Sequence, residues 1–280
     1  MISQEFLPCQ ALREYITCYQ LRHFVFPAGT PLPYKPYAPR PEQTLVFHPR
    51  GHELVEFVSS KLIIKRPRAY VMGQYVERTN RQIGTEEFIV LLVNFQPGVL
   101  YRLTGIPYHR LTNIDIDAEA IFSGEVRRVN ERLGATDDYN EMIRIVEHFL
   151  LQLTATIHRD AHALDSVANL VIKHPQNTRA IQLAKDAFLS SRQFERKFKE
   201  RLGISPKLYS RIARVTKAFR MKYNNSNLDW LSIALECGYH DYQHLSKDFL
   251  DFAAVTPANY LLEDDQAPER FFGLRDSSIL

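Results

Sequence analysis

The sequence predicts an α+β chain. A β-rich sandwich or barrel-like domain with a helical pair comes first, and an all-α domain of two helix-turn-helix units joined by a long helix follows. Three observations predict this. Residues 1–116 fall into short β-rich runs, the apolar period changes to that of helices from Asp117, and the C-terminal part carries a degenerate internal repeat. The expected divisions are 1–116, a β-rich domain; 117–160, the helical pair; 161–262, the double helix-turn-helix domain; and 263–280, an acidic tail.

At 280 residues, 45% hydrophobic and 24% charged, the chain has apolar mass for two ordinary cores. No window approaches the roughly 18 uninterrupted apolar residues of a membrane helix. The opening MISQEFLPCQALREY has neither a basic nor an apolar leader region, so a cytoplasmic location and no membrane partner are expected. Cys9, Cys18 and Cys237 form no C-x-x-C pair and leave an odd count, which supports neither a disulfide framework nor a zinc site.

In chain order, LVFHP, LVEFV, KLIIK, AYVMG and EEFIVLLVNF read as strands separated by Pro, Gly or charged breaks. Six prolines between Pro27 and Pro41 predict a rigid irregular segment outside any ladder, a structural wall in preference to a docking peptide. Phe24, Phe26, Tyr34, Tyr37, Phe57 and Tyr70 suit a ligand pocket, and an ordinary β-core accounts for them better. Ile121, Phe122, Val126, Val129 and Leu133 make one helical stripe, ended by Gly134. Tyr139, Met142, Ile143, Val146, Phe149, Leu150 and Leu153 make a second, over 138–159. Such stripes pack on their own sheet or form a homodimer, and the pattern favours neither.

The repeat carries the reading. Phe194, Arg196, Phe198, Gly203, Pro206 and Tyr209 recur 51 positions later as Leu245, Lys247, Phe249, Ala254, Pro257 and Tyr260, and Ala184 recurs 50 later as Ala234. Each copy is helix, turn, helix, with the small alanine where two helices cross closely. Ser190 is placed to cap the second helix of the first copy, with Gln193 completing a capping box; Asp241 is the cap in the second copy. Phe194, Phe198 and Leu202 form an apolar back to a front of Arg192, Glu195, Arg196 and Lys199. In the second copy Leu245, Phe249 and Phe252 face inward, Gln243, Ser246, Lys247 and Leu250 outward, and Tyr242 sits at the N-terminal edge. Between them Pro206 opens a helix reaching about Tyr223, roughly 27 Å long. Successive major grooves on one face of B-DNA lie about 34 Å apart, so a rigid rod of that length lets two readers enter adjacent grooves.

The charge is concentrated in the same place. Net charge is zero over 1–163, +6 over 164–262 and −3 over 263–280. Residues 178–223 alone carry +10 and 224–262 carry −4, which marks one stretch as the polyanion signal and adds repulsion from Asp248 and Asp251 in the second unit.

LSSRQFERKFKERLGISPKLY and ALECGYHDYQHLSKDFLDFAAVTPANYL resemble the two helix-turn-helix units of the AraC/XylS transcription regulators, over about 164–262. The second matches at Ala234, Cys237, Gly238, Tyr239, Asp241, Leu245, Phe249, Thr256, Pro257 and Tyr260. The resemblance implies a bacterial, cytoplasmic, sequence-specific DNA-binding regulator or activator without a cofactor. Its candidate DNA-contacting residues are Ser191, Arg192, Gln193, Glu195, Arg196 and Lys199 in the first unit and Tyr242, Gln243, Ser246 and Lys247 in the second. Double-stranded DNA is the partner implied, with a small-molecule effector, a homodimer and an RNA polymerase contact as further candidates. Lys247, Leu250 and Ala254 depart from the family's usual Arg, basic residue and Gly.

Three readings compete. A non-specific nucleic-acid-binding protein would spread its basic surface over both units. A cupin-like metal enzyme fused to a DNA-binding domain would start from His48, His52 and Glu53, but the histidines flank a Pro-Arg-Gly turn instead of alternating on one strand. Alkyl transfer on a cysteine would need a thiol in a basic neighbourhood, and none is evident. No catalytic or metal-binding residue is therefore expected.

Overall fold

The computed structural model describes residues 2–122, 124–157, 159–177 and 180–274. In chain order the strands are β1 (Ile2–Phe6), β2 (Ile16–Val25), β3 (Tyr34–Tyr37), β4 (Thr44–Arg50), β5 (Glu53–Phe57), β6 (Leu62–Lys65), β7 (Ala69–Met72), β8 (Thr79–Ile83), β9 (Glu87–Phe95) and β10 (Asp115–Asp117). They form two antiparallel sheets, β1-β2-β9-β4-β7-β10 and β3-β8-β5-β6. The larger sheet is a middle layer, and β9 shows why its sequence is an unbroken apolar run. Phe88, Val90 and Leu92 point into the core between the sheets, while Ile89, Leu91, Val93 and Phe95 point to a second core on the other side.

That second core is closed by helices. After α1 (Val99–Thr104), the chain passes through β10 into α2 (Ala118–Phe122), α3 (Gly124–Gly134) and α4 (Tyr139–Ala155). The expected first helix of the pair corresponds to α2 and α3, on either side of residue 123, which lies outside the described residues. Val126, Val129, Leu133, Met142, Val146, Phe149 and Leu150 are buried against Leu45, Phe47, Val71 and Leu91 of the larger sheet. The stripes are spent within the chain, which removes the reason for assigning them to a dimer.

The proline-rich segment differs from expectation. Tyr34–Tyr37 pairs with β8, Pro36 standing opposite Asn80. Proline is accommodated because β3 is an edge strand, with one row of backbone groups outside the ladder.

The C-terminal domain comprises α5 (Ala163–Lys173), α6 (Ala180–Asp186), α7 (Ser191–Leu202), α8 (Pro206–Asn224), α9 (Trp230–Glu236), α10 (Tyr242–Ala253), α11 (Pro257–Asp264) and α12 (Pro268–Phe271). Most share one core, in which Ala184 and Ala234 are buried at the expected crossings. Of the segment after Leu262, expected as an acidic tail over 263–280, residues 263–274 are folded and lie against the sandwich, and 275–280 lie outside the described residues.

Candidate nucleic-acid interface

The two copies are built by the same local devices. Ser190 accepts from the Gln193 backbone N–H, and the Gln193 side chain returns the bond to the Ser190 N–H, a complete capping box. Asp241 accepts from the His244 N–H at 2.9 Å, which holds its carboxyl below the usual range. Each copy's first helix ends in the same paired backbone bonds: Leu189 N–H to Ala184 O and Phe188 N–H to Lys185 O, then Tyr239 N–H to Ala234 O and Gly238 N–H to Leu235 O. The residue in the left-handed conformation is Gly238 (φ +79°) in one copy and Phe188 (φ +55°) in the other.

The second helix of each copy, α7 and α10, buries its apolar back: Phe194, Phe198, Leu202, Leu245, Phe249 and Phe252 are all inside. On α7, Ser191, Arg192, Gln193, Glu195, Arg196 and Lys199 are exposed. The Gln193 carbonyl oxygen is engaged in the cap, and Glu195 lies 3.9 Å from Lys199. Among the described residues Arg192 and Arg196 have no ion pair. On α10, Gln243 and Lys247 are exposed, Ser246 is half-buried, and Tyr242 packs partly on the core. Lys185 and Lys207, also exposed, are basic residues of the first unit that the motif passes over; membership in the basic stretch was their signal.

The charge split along the sequence overstates the difference between the units. Asp248 is buried beneath α8, paired with Arg211 and Arg214 and accepting from the Tyr239 hydroxyl at 3.0 Å; Asp251 pairs with the same Arg211. Arg201 is likewise buried and spent on Asp165. Arginines counted in the first unit thus neutralise acids counted in the second. The expected repulsion from Asp248 and Asp251 is corrected accordingly.

The sandwich holds both α7 and α10 at their C-terminal ends. Gln43 Nε2 donates to the Arg201 carbonyl at 2.9 Å, and Arg78 Nη1 donates to the Ala253 carbonyl at 3.1 Å. Last-turn carbonyls of a helix are unpaired acceptors at its negative end, which suits both donors. Tyr101 adds a 2.6 Å hydrogen bond to Glu200. Gly203 is required by its φ of +92° and by space, since a Cβ there would meet Gln74 Cβ at 3.0 Å and Tyr108 Cδ1 at 3.3 Å.

The competing catalytic residues are placed differently. His48 is buried inside the sandwich against Tyr70 and Phe88, and burial lowers its pKa to about 4. Glu53 is committed to Arg66 at 2.5 Å. Burial pushes the Cys237 thiol up to about 11, leaving it protonated at neutral pH.

Residues 183–263 match the sequence profile of a family described as a helix-turn-helix domain. An uncharacterised HTH-type transcriptional regulator of Haemophilus influenzae is 31% identical over 99 residues, 35% of this chain and 33% of that protein. The C-terminal domain is an AraC/XylS-type helix-turn-helix domain. The chain spans about a third of the length of the curated relative it matches. Ahead of the AraC/XylS-type domain, residues 4–117 match a domain of unknown function, DUF6597. For the whole fold, apo ToxT of a variant from Vibrio cholerae strain SCE256 is 11% identical with a TM-score of 0.51, covering 88% of this chain and 97% of that one. The DNA-binding domain of AdpA, a global transcriptional factor, in complex with a target DNA, is 24% identical over 38% of this chain and 95% of that one, with a TM-score of 0.35. Among the described residues no helix is long and apolar enough to cross a membrane.

Proposed function

We propose that the chain is a sequence-specific, DNA-binding transcription regulator of the bacterial cytoplasm, reading an asymmetric site through α7 and α10 in adjacent major grooves. The observation that carries this reading is the pair of side-chain-capped helices, each with a buried apolar back and an exposed polar front, linked by the 19-residue α8. Arg192, Arg196 and Lys199 supply phosphate and base contacts in the first groove, and Gln243 and Lys247 in the second. Lys185 and Lys207 add phosphate contacts. Selection from a random duplex pool tests the reading. Enrichment of one asymmetric motif with two half-sites about one helical turn apart supports it, and retention without enrichment assigns non-specific binding instead.

The same reading places a small-molecule effector where the two domains meet. A cleft of about 610 Å³ lies there, with Gln20, Asn94 and Gln96 of the sandwich facing Lys173 of α5 and Arg220 of α8. A ligand in it acts by binding two domain arrangements unequally. A homodimer has to use a surface other than the covered stripes of α3 and α4, such as the outer face around the exposed Leu151.

A further inference from the structure

The segment after α11 is seated on the open end of the sandwich by contacts of two kinds. Glu269 is only 2% exposed, and one of its oxygens, Oε1, lies 2.9 Å from Lys35 Nζ on β3 and 3.2 Å from Arg22 Nε on β2. These two cations belong to different sheets, so a single carboxylate ties edge strand β3 of the smaller sheet to β2 of the larger. Three residues on, Phe272 lies parallel to Phe24, with centroids 5.7 Å apart and planes 5° apart, and touches Phe26 at 5.1 Å. Phe271 adds a tilted contact to Phe26 at 5.6 Å, and Leu274 packs on the same inter-sheet core.

Of the two intervening residues, Arg270 faces the other way. Arg270 donates to the Tyr223 hydroxyl of α8 and pairs with Asp264 of α11 at 2.7 Å. The segment keeps its shape by its own bonds, Leu274 N–H to Glu269 O and Gly273 N–H to Arg270 O, with Gly273 at φ +65°. It is therefore a preformed turn with one face, Glu269 and Phe272, for the sandwich, and another, Arg270, for the second helix-turn-helix unit.

We propose that the open end of the sandwich is a binding site for an acidic-aromatic peptide of the pattern Glu-x-x-Phe, and that the chain's own Pro268–Leu274 is its resident occupant, latching the second helix-turn-helix unit to the sandwich. The chemistry is specific on both sides: paired cations take the carboxylate, and an aromatic wall takes the ring at i+3. The attachment is also reversible in kind. A buried carboxylate between cations gains Coulomb energy but pays desolvation, and a short segment held by one carboxylate and a few ring contacts can open locally without unfolding the core. This inference does not rest on DNA recognition.

The test uses a chain ending at Ala267 and a fluorescent peptide of residues 267–274, followed by anisotropy, with hydrogen exchange on the full-length Phe272→Ala variant beside it. The shortened chain is expected to bind the peptide and the intact chain to exclude it by tenfold or more. Peptides carrying Glu269→Gln or Phe272→Ala should each bind at least tenfold more weakly. In full-length Phe272→Ala, exchange should quicken in β3 and α11 and stay unchanged in α1 and α7. Failure of a folded shortened chain to bind the peptide overturns the proposal. So does exchange in Phe272→Ala that quickens throughout the chain or nowhere, a result that stands even if the shortened chain does not fold.

Discussion

The Arg211 guanidinium on α8 donates through Nε at 3.0 Å and Nη2 at 2.7 Å to a single oxygen, Oδ1, of Asp248 on α10. The other oxygen of Asp248 accepts from Tyr239, so both oxygens of a buried carboxylate are satisfied. Asp248→Asn removes the charge that Arg211 and Arg214 are arranged around. It should lower stability by about 2 kcal/mol, less than the roughly 3–5 kcal/mol for breaking a fully buried pair, because Arg211 keeps some solvent. Urea unfolding measures this, and binding to the selected duplex should weaken or hold. Tighter binding would mean that Asp248 faces DNA.

Arg196 stands exposed on the front of α7. Arg196→Ala should weaken specific binding by about 1–3 kcal/mol, with discrimination lost at one base pair if the guanidinium grips a base edge. Competition titrations against single-base variants of the site distinguish this from a phosphate contact, which weakens all sequences alike. Wild-type affinity would exclude both roles.

His48 gives the sandwich an acid-sensitive term. Its pKa in the fold, about 4, lies below the ordinary value near 6.5 because burial disfavours the imidazolium. Above pH 6.5 it is neutral folded or unfolded. As pH falls from 6.5 toward 4 the unfolded chain takes the proton first, and stability is lost. His48→Phe should flatten this dependence, losing about 2 kcal/mol less than the wild type between pH 6.5 and pH 5. Parallel stability curves for the two proteins over that range would show that His48 is hydrated in the fold.

Ala254 closes α10 at φ +59°, where the equivalent residue of α7 is Gly203. An L side chain in this region costs about 1–2 kcal/mol, partly offset by the greater freedom of glycine in the unfolded chain. Ala254→Gly should therefore stabilise the protein by about 0.5 kcal/mol, seen as a small rise in denaturation midpoint with an unchanged slope. A fall would show that the methyl group packs.

The local devices of the interface were legible in the sequence because they span three or four residues. Ser190 with Gln193, Asp241 with the His244 N–H, and the apolar backs of α7 and α10 all follow from helix period and capping. What escaped is long-range. Arg211 meets Asp248 across 37 residues and Gln43 meets Arg201 across 158, and no local pattern announces either. Charge summed along a stretch failed for the same reason, since it separates residues that the fold pairs. In the sandwich, β9 stood out as an apolar run, whereas β8 (Thr-Asn-Arg-Gln-Ile) is too polar for a hydrophobicity reading to find. Its Arg81 is buried over the Tyr37 ring, a placement visible only once the sheets are assembled.

The two donors that hold the reading helices stand on different sheets: Gln43 precedes β4 of the larger, and Arg78 precedes β8 of the smaller. Each grips the far end of a 12-residue helix, a lever about 18 Å long. A tilt of about 5° at the fulcrum carries the opposite tip about 1.6 Å sideways, enough to make or break a hydrogen bond to a base edge. Under the proposed DNA-reading role the sandwich is a caliper whose jaws are its two sheets: a change in the gap between them is magnified at the tips of α7 and α10, with no need for the stimulus to reach the C-terminal domain itself.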